Sequence, residues 1–376
     1  MPVRALEQED DVAALHAAGV AWLGADAQWL DVHTHIGHHD PDGLEADPEE
    51  LVEALDLAGQ QAACVFPMHE PDGYAQANAT VRDAAARWPD RLSWLCRVSP
   101  HQEDPGAEVA RCLDAGARGL KLHPRSDSFA MDHPAIEGLV AQVAERRGVV
   151  LVHAGRGIPE LGAHAARLAA DHPDARIILA HAGISDLGLL ADAAAALPNL
   201  LFDTSWWQPA DMLMLFTTVP PGRILYASDM PYGPPKLAST IFLRGVRQAG
   251  WTPEQAREAA GPQARRALMG EDLVDLGPAL GPEGLGPRVL SFERAAAYLT
   301  AAVQGTFRGG DPTEAYALAR LACQRVDGEA PHAAHLEAVE ALVARAQELL
   351  ETRGAMDAVT AAMGALTVAG TPGVPA

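Results

Sequence analysis

The stretch Trp29-Leu30-Asp31-Val32-His33-Thr34-His35-Ile36-Gly37 is an apolar run that carries two histidines at positions i and i+2. On a β-strand, side chains at this spacing project from the same face. His33 and His35 can therefore direct both imidazole rings at one point, which suits a divalent metal at the end of a strand. An isolated His-x-His is more often a pair of ordinary polar residues on a half-exposed strand. The metal hypothesis therefore depends on the rest of the chain.

Seven further apolar runs follow this stretch, and each is followed by a helical pattern. They cover residues 62–67, 92–98, 119–123, 149–153, 177–181, 200–204 and 224–228. The runs are nearly continuous in Val, Ile and Leu, as expected for parallel strands that are covered on both faces. Eight such units predict an α/β fold, a (β/α)₈ TIM barrel. A doubly wound open sheet is the second choice, because no Gly-x-Gly-x-x-Gly loop follows the first run.

The whole sequence divides into four segments, of which the barrel is one. Residues 1–28 form a helical lead-in, residues 29–269 form the barrel, and residues 270–289 form a Gly/Pro-rich linker. Residues 290–376 are Ala- and Leu-rich and predict an all-helical C-terminal extension that ends in a loose tail. This extension either covers the barrel of its own chain or forms the interface of a homodimer.

Composition excludes several classes of partner. The chain has 376 residues and a formal net charge of −22, which argues against nucleic acid and against anionic membrane surfaces. We find no signal-like apolar core and no apolar run of about 20 residues, the length that spans a bilayer. The four cysteines are far apart and lack CxxC spacing, so disulfides and a thiolate zinc site are not expected. We therefore expect a soluble, cytoplasmic protein that acts on a small molecule.

Three later runs end in residues that can bind a metal. Leu151-Val152-His153-Ala154-Gly155 and Leu179-Ala180-His181-Ala182-Gly183 end almost identically, and the eighth run ends in Ala227-Ser228-Asp229-Met230-Pro231. Active sites of (β/α)₈ barrels lie at the C-terminal ends of the strands, so these ends should meet His33 and His35 at one mouth. Zinc takes histidine nitrogens and carboxylate oxygens, and it lowers the pKa of a bound water toward neutrality. The pattern therefore predicts a catalytic metal site.

The HTH stretch, the two HAG strand ends and SDMPYG together resemble the amidohydrolase superfamily. Within it they are similar to the amidohydrolase 2 branch, which includes aminocarboxymuconate-semialdehyde decarboxylase and related metal-dependent hydrolases. The resemblance covers about residues 29–269. It departs from the family's pattern at Pro262-Gln263, where Gly-Asn often stands before Ala-Arg-Arg-Leu; that difference concerns packing and not the metal site.

This resemblance implies a role for each strand-end residue. A single divalent metal, with zinc the first expectation, would be held by His33, His35, His153 and Asp229. His181 would polarise the substrate or relay a proton, and Asp229 would also accept a proton from the bound water.

Lys121, in Gly119-Leu120-Lys121-Leu122-His123-Pro124, leaves the number of metals open. In binuclear members of the superfamily a fourth-strand lysine is carbamylated and bridges two metals, and here Lys121 and His181 would then join the ligands. In single-metal relatives the lysine could instead bind the substrate, which is the interpretation we favour.

Other candidates for substrate contact follow the strands at the same mouth. Arg125 and Arg156 could each grip a carboxylate, and Trp206 could wall an apolar pocket. Surface ion pairs and ordinary loop packing explain the same residues equally well. His123 is close enough in register to merit a test.

These residues predict a metal-dependent hydrolase that activates water to cleave an amide, ester or lactone of a small molecule. The second reading is a non-oxidative decarboxylase of a small unsaturated or aromatic acid, built on the same ligands. A third, from a different class, is a non-catalytic barrel whose helical extension binds a partner.

Overall fold

A computed structural model describes residues 10–41, 43–155, 158–324 and 332–376 of the chain. Strands occur at all eight of the predicted positions, and the third run is divided in two at Leu95. The strands are β1 (Leu30–Ile36), β2 (Ala62–Pro67), β3 (Leu92–Trp94), β4 (Cys96–Arg97), β5 (Gly119–Leu122), β6 (Val149–Val152), β7 (Arg176–Leu179), β8 (Leu200–Asp203) and β9 (Ile224–Leu225).

All strand pairs are parallel, in the orders β1-β2-β3 and β4-β5-β6-β7-β8-β9. Two sets of backbone hydrogen bonds join these orders into a closed barrel. The N–H of Leu95 donates to the carbonyl of Val65 at 3.1 Å, which bridges the break in the third strand position. On the other side, the N–H of Val32 donates to Tyr226 at 3.1 Å and that of His35 to Met230 at 2.8 Å. The predicted (β/α)₈ barrel is therefore confirmed.

Helices follow the strands and cover the outside of the barrel. They are α1 (Asp10–Leu23), α2 (Pro48–Leu57), α3 (Ala75–Arg87), α4 (Pro105–Asp114), α5 (Pro134–Ala144), α6 (Leu161–Asp171), α7 (Leu187–Ala196), α8 (Pro209–Thr218), α9 (Pro235–Gln248), α10 (Pro253–Ala260) and α11 (Pro262–Met269). Several begin with proline after a cap, as the sequence predicts: Asp104 accepts from the N–H of Ala107 at 3.0 Å, and Thr252 accepts from that of Gln255 at 3.2 Å.

Within the described residues 290–324 and 332–376, the C-terminal extension has four helices, which pack on the barrel of their own chain. They are α12 (Leu290–Phe307), α13 (Thr313–Ala322), α14 (Ala333–Thr352) and α15 (Ala355–Gly370). Most of α15 is buried, because it lies between α12 and α14 on one side and α1, α8 and α9 on the other. The apolar stripe of α14 is a packing face, with Leu336, Val339 and Val343 fully buried. A homodimer interface stays a prediction.

The last residues are not the loose tail that the sequence predicts. Buried Arg244 of α9 donates to the hydroxyl of Thr371 at 2.9 Å and to the carbonyl of Val374 at 3.0 Å. His335 Nε2 donates to the same Val374 carbonyl at 2.7 Å, and the N–H of Gly373 donates to Gln248. A proline- and glycine-rich end is held here by side chains from distant parts of the chain, which composition alone does not reveal.

In the described part of the chain, no helix is long and apolar enough to cross a membrane.

Candidate metal centre

Three side chains converge at the C-terminal ends of the first and last strand positions. The Nε2 atoms of His33 and His35 lie 3.1 Å apart, and Asp229 Oδ1 lies 3.0 Å from the first and 3.1 Å from the second. Both histidines are buried, while the Asp229 side chain is 18 % exposed. Ligand atoms of a tetrahedral zinc are separated by about 3.3 Å when metal–nitrogen bonds are about 2.05 Å. The spacing therefore fits one shared divalent cation.

The backbone explains why these side chains meet. His33 and His35 lie two residues apart on β1 and so share its inner face. Asp229 follows β9 with a φ of 68°, in the left-handed region that few non-glycine residues adopt. Its N–H donates to the carbonyl of His33 at 2.9 Å, and its own carbonyl accepts from Tyr232 at 2.7 Å. The strained turn is thus held by hydrogen bonds that aim the carboxylate at the two imidazoles.

Two of these groups, His35 and Asp229, are held in the protonation state in which each can bind a divalent metal. Burial lowers the pKa of His35 to about 3, so its imidazole is neutral at physiological pH. Burial works against ionisation of Asp229, but neighbouring His33 and His35 outweigh it and hold the pKa of Asp229 well below its usual value. A neutral imidazole and a carboxylate are both ready-made zinc ligands.

His33 differs from His35 because it lies between two carboxylates. Burial and Lys121 both disfavour its charged form, yet Asp229 and Asp203 together raise the pKa of His33. Its Nδ1 lies 2.7 Å from Asp203 Oδ2. A cation that binds Nε2 of His33 must therefore displace a proton, as is usual when metals bind histidine.

His153 and His181, the other two predicted histidines, pair with each other. His181 Nδ1 donates to the carbonyl of Ser205 at 2.8 Å, so in neutral His181 the Nε2 atom is an acceptor. His153 Nδ1 lies 2.9 Å from that Nε2 and can donate to it, which leaves His153 Nε2 without a partner. Among the described residues, His153 does not join the group of ligand atoms within 4.8 Å formed by His33, His35 and Asp229. Its predicted role as a metal ligand stays a prediction.

Lys121 lies inside the barrel, next to His33, and not on the exposed edge of the barrel mouth. It is fully buried, its Nζ is 3.2 Å from His33 Nε2, and the ammonium sits 4.6 Å from the centroid of the Phe66 ring. Burial lowers the pKa of Lys121 to about 7, so both its charged and neutral forms are accessible near neutral pH. A neutral amine suits carbamylation, and an ammonium suits a substrate carboxylate, so these observations fit both of the interpretations left open by the sequence.

The predicted substrate-contact residues are less well placed. Arg125 is exposed to solvent. Arg156 lies outside the described residues. The Trp206 ring stands 6.3 Å from that of His181, and its Nε1 donates to Asp211 at 2.7 Å, so it walls the mouth beside that histidine. The His123 ring stacks on His153, with centroids 3.9 Å apart.

Four ionisable groups near the centre were not among the residues predicted from the sequence. Asp203 contacts His33, and Arg97 forms a buried ion pair with Asp127 at 3.1 Å. Asp31, which is fully buried, accepts from the N–H groups of His33 at 3.1 Å and Ser228 at 3.0 Å. Arg97 is the last residue of β4 and Asp203 is the last residue of β8, so both lie at the same end of the barrel as the predicted site residues.

A cavity of about 900 Å³ lies between the loops that follow β1 and β2 and the first half of α3. Its wall includes Ile36 and Gly37, directly after His35, and the carboxylates of Glu70, Asp72 and Glu103. His33, His35 and Asp229 are not in its wall, so the cavity is separate from the three ligand-type atoms.

The fold and this centre define a (β/α)₈ barrel with a group at its mouth that could hold a metal. The family model of the amidohydrolases matches residues 30–271, and the chain belongs to that family, whose members are metal-dependent catalysts.

Solved structures support the fold. A TIM-barrel protein from Bordetella bronchiseptica is 18 % identical, with a TM-score of 0.54 over 65 % of this chain and 99 % of its own. A 2,6-dihydroxybenzoate decarboxylase is 17 % identical, with a TM-score of 0.52 over 64 % and 98 %. The 5-carboxyvanillate decarboxylase of Sphingomonas paucimobilis is 14 % identical, with a TM-score of 0.51 over 65 % and 99 %. A comparison with curated proteins finds no match.

Proposed function

We propose that this protein is a hydrolase that uses one divalent metal, zinc, to cleave an amide, ester or lactone of a small molecule. The observation that carries the proposal is the convergence of His33 Nε2, His35 Nε2 and Asp229 Oδ1 within about 3 Å of one another. Neutral imidazole and carboxylate donors at this spacing suit zinc, and His153 is the proposed fourth ligand, which would require its ring to turn from its contact with His181. When bound, such a metal acts as a Lewis acid and lowers the pKa of water toward neutrality.

Asp229 and His181 are positioned to move the proton. Asp229 Oδ1 faces the two imidazoles, whereas Oδ2 lies 3.9 Å from His181 Nδ1 and is free to take a proton from the attacking water. His181 Nδ1 is committed to the Ser205 carbonyl and Nε2 faces His153 Nδ1, so His181 would exchange a proton at Nε2 once the contact with His153 opens. Burial lowers the pKa of His181, which keeps it neutral and suits a relay better than a fixed positive charge. The proton then passes to the leaving group.

Decarboxylation is the second candidate, and Lys121 favours it. A buried ammonium beside His33 would attract a substrate carboxylate, and a carboxylate group is what such a reaction removes. The carbon that loses CO₂ needs a proton in return, which Asp229 or His181 would supply. Two structural neighbours carry decarboxylase names, but their low identity bears on the fold alone.

Lys121→Ala separates the two interpretations of that lysine. If Lys121 binds substrate, bound metal stays at about one per chain and KM rises about 10- to 100-fold, the usual effect of losing one charge-assisted hydrogen bond. Elemental analysis and steady-state kinetics measure both quantities. The matched control is Lys236→Ala on α9, which should change neither. If bound metal instead falls from about two per chain to about one, Lys121 is a metal bridge and the single-metal proposal fails.

The proposed function is tested with the zinc-loaded chain and a panel of small substrates. The panel contains amides, esters and lactones, together with unsaturated and hydroxylated aromatic acids, and the readouts are new carboxyl groups and released CO₂. We expect hydrolysis that a chelator abolishes and added zinc restores. Release of CO₂ alone would select the decarboxylase. Failure of every substrate, together with no uptake of metal, would favour the non-catalytic barrel whose helices bind a partner.

We also propose that the enzyme works in the cytoplasm on a small molecule, since all four cysteines are buried free thiols.

A further inference from the structure

One carboxylate, that of Asp203, contacts both His33 of the candidate metal centre and His181 of the neighbouring histidine pair. Asp203, the last residue of β8, is fully buried. Its Oδ2 lies 2.7 Å from His33 Nδ1. Its Oδ1 accepts from the N–H of His181 at 3.0 Å, and from both the N–H of Ser205 at 3.0 Å and the hydroxyl of Ser205 at 2.5 Å. Each of its oxygens therefore serves a different functional histidine.

We infer that Asp203 is the positioning residue that sets both the ring of His33 and the backbone of His181. The inference rests on the proposed function, because it assumes that His33 binds the metal and that His181 relays the proton. Asp203 itself is placed one step away from the reaction, since it contacts neither the metal-binding nitrogens nor the mouth of the barrel.

The effect on His33 concerns which ring nitrogen carries hydrogen. A carboxylate can only accept, so Nδ1 of His33 must be the donor in this contact. The other nitrogen, Nε2, is thereby reserved for Asp229 and the shared cation. A carboxylate behind a metal-binding histidine fixes the orientation of the ring and makes it a stronger ligand, and loss of such a partner commonly weakens metal binding 10- to 100-fold.

The effect on His181 concerns its backbone. His181 has a φ of 56°, and Ala182 and Gly183 follow at 58° and 59°, so three successive residues occupy the left-handed region. Residues with side chains adopt this conformation at an energetic cost and keep it only where their surroundings enforce it. The His181 N–H has two acceptors here, Asp203 Oδ1 and the hydroxyl of Ser205 at 3.2 Å. That hydroxyl is itself bound to Asp203, so both acceptors depend on the same carboxylate.

Two substitutions at Asp203 separate these effects. In Asp203→Asn the amide oxygen can still accept from His181 N–H, but the amide nitrogen that replaces Oδ2 cannot accept from His33 Nδ1. Asp203→Ala removes both carboxylate oxygens, and with them the group that holds the Ser205 hydroxyl. Asp211→Asn is the charge-matched control, because Asp211 contacts Trp206 at the same mouth but not the histidines of the centre.

The first measurement is zinc affinity of the full-length protein, by competition with a chromophoric chelator. We expect Asp203→Asn to raise the Kd for zinc 10- to 100-fold and Asp211→Asn to change it no more than about threefold. The second is proton NMR of the His33 Nδ1–H, which should give a downfield, slowly exchanging resonance in the wild type that is lost in Asp203→Asn. The third is amide exchange at His181, expected to stay slow in Asp203→Asn and become fast in Asp203→Ala.

Wild-type zinc affinity together with an unchanged His33 resonance in Asp203→Asn would overturn the inference for His33. A protected His181 amide in Asp203→Ala would overturn it for His181. Should the alanine variant not fold, Ser205→Ala replaces it: Asp203 Oδ1 still accepts from the His181 N–H in that variant, so we expect slow amide exchange at His181 with near-wild-type zinc affinity, and fast exchange would count against the inference. None of these measurements uses a substrate, and the NMR measurements need no metal. A wild type that binds no zinc would therefore defeat the proposed function while leaving the inference testable.

Discussion

Replacement of Asp229 by asparagine is expected to abolish turnover, with kcat/KM falling at least about 10³-fold, within the range ascribed to general acid–base groups. The variant loses the charge that faces His33 and His35 and also the group proposed to accept a proton from water. Asparagine is among the residues that best tolerate a φ of 68°, so the turn after β9 should keep its shape. The measurements are steady-state kinetics and zinc affinity, and zinc binding should weaken as well.

The control for this variant is again Asp211→Asn, which removes one negative charge at the same mouth and should keep wild-type activity. An unchanged thermal melting profile of metal-free Asp229→Asn would show that the barrel is intact. Near-normal turnover in Asp229→Asn would contradict both roles that we assign to Asp229.

Replacement of His181 by asparagine is expected to separate the chemistry from the metal. Asparagine again suits the left-handed backbone, here with a φ of 56°, but it has no ring nitrogen to exchange a proton. We expect kcat to fall about 10²- to 10⁴-fold while bound zinc stays at about one per chain. Kinetics and elemental analysis on the same sample measure the two quantities.

A matched control for this second variant is His172→Asn, which alters a histidine that contacts Glu137 on the outside of the barrel at 2.6 Å. It should change neither kcat nor metal content. Loss of half of the bound metal in His181→Asn would show that His181 is a ligand of a second ion, and unchanged kcat would contradict its role as a proton relay.

The barrel could be predicted from the sequence because its strands are buried on both faces and therefore read as continuous apolar runs. The run at 92–98 is one strand position in the sequence but two short strands in the structure, β3 and β4, which are separated by Leu95. The last residues were mispredicted because the groups that hold them, Arg244 and His335, are distant in sequence. Composition reports local preference and not such long-range contacts.

The centre could be predicted only in part, for a related reason. Residues at strand ends face one mouth, so His33, His35 and Asp229 could be brought together by topology alone. Topology does not determine how side chains rotate at that mouth, and His153 pairs with His181 and lies outside the group formed by His33, His35 and Asp229. Asp203 and Arg97 ended strands as well, but their importance depends on pairing with His33 and Asp127, which a single sequence does not reveal.

The central claim is that His33, His35 and Asp229 hold a divalent metal, and the most direct measurement is metal content per chain by elemental analysis. The protein should be purified without added metal or chelator, in parallel with Asp229→Asn. We predict about one zinc per chain in the wild type and a substantial loss in the variant. About two metal ions per chain would instead support a binuclear centre bridged by Lys121. No metal in the wild type, and none taken up when zinc, manganese or iron is added, would contradict the account.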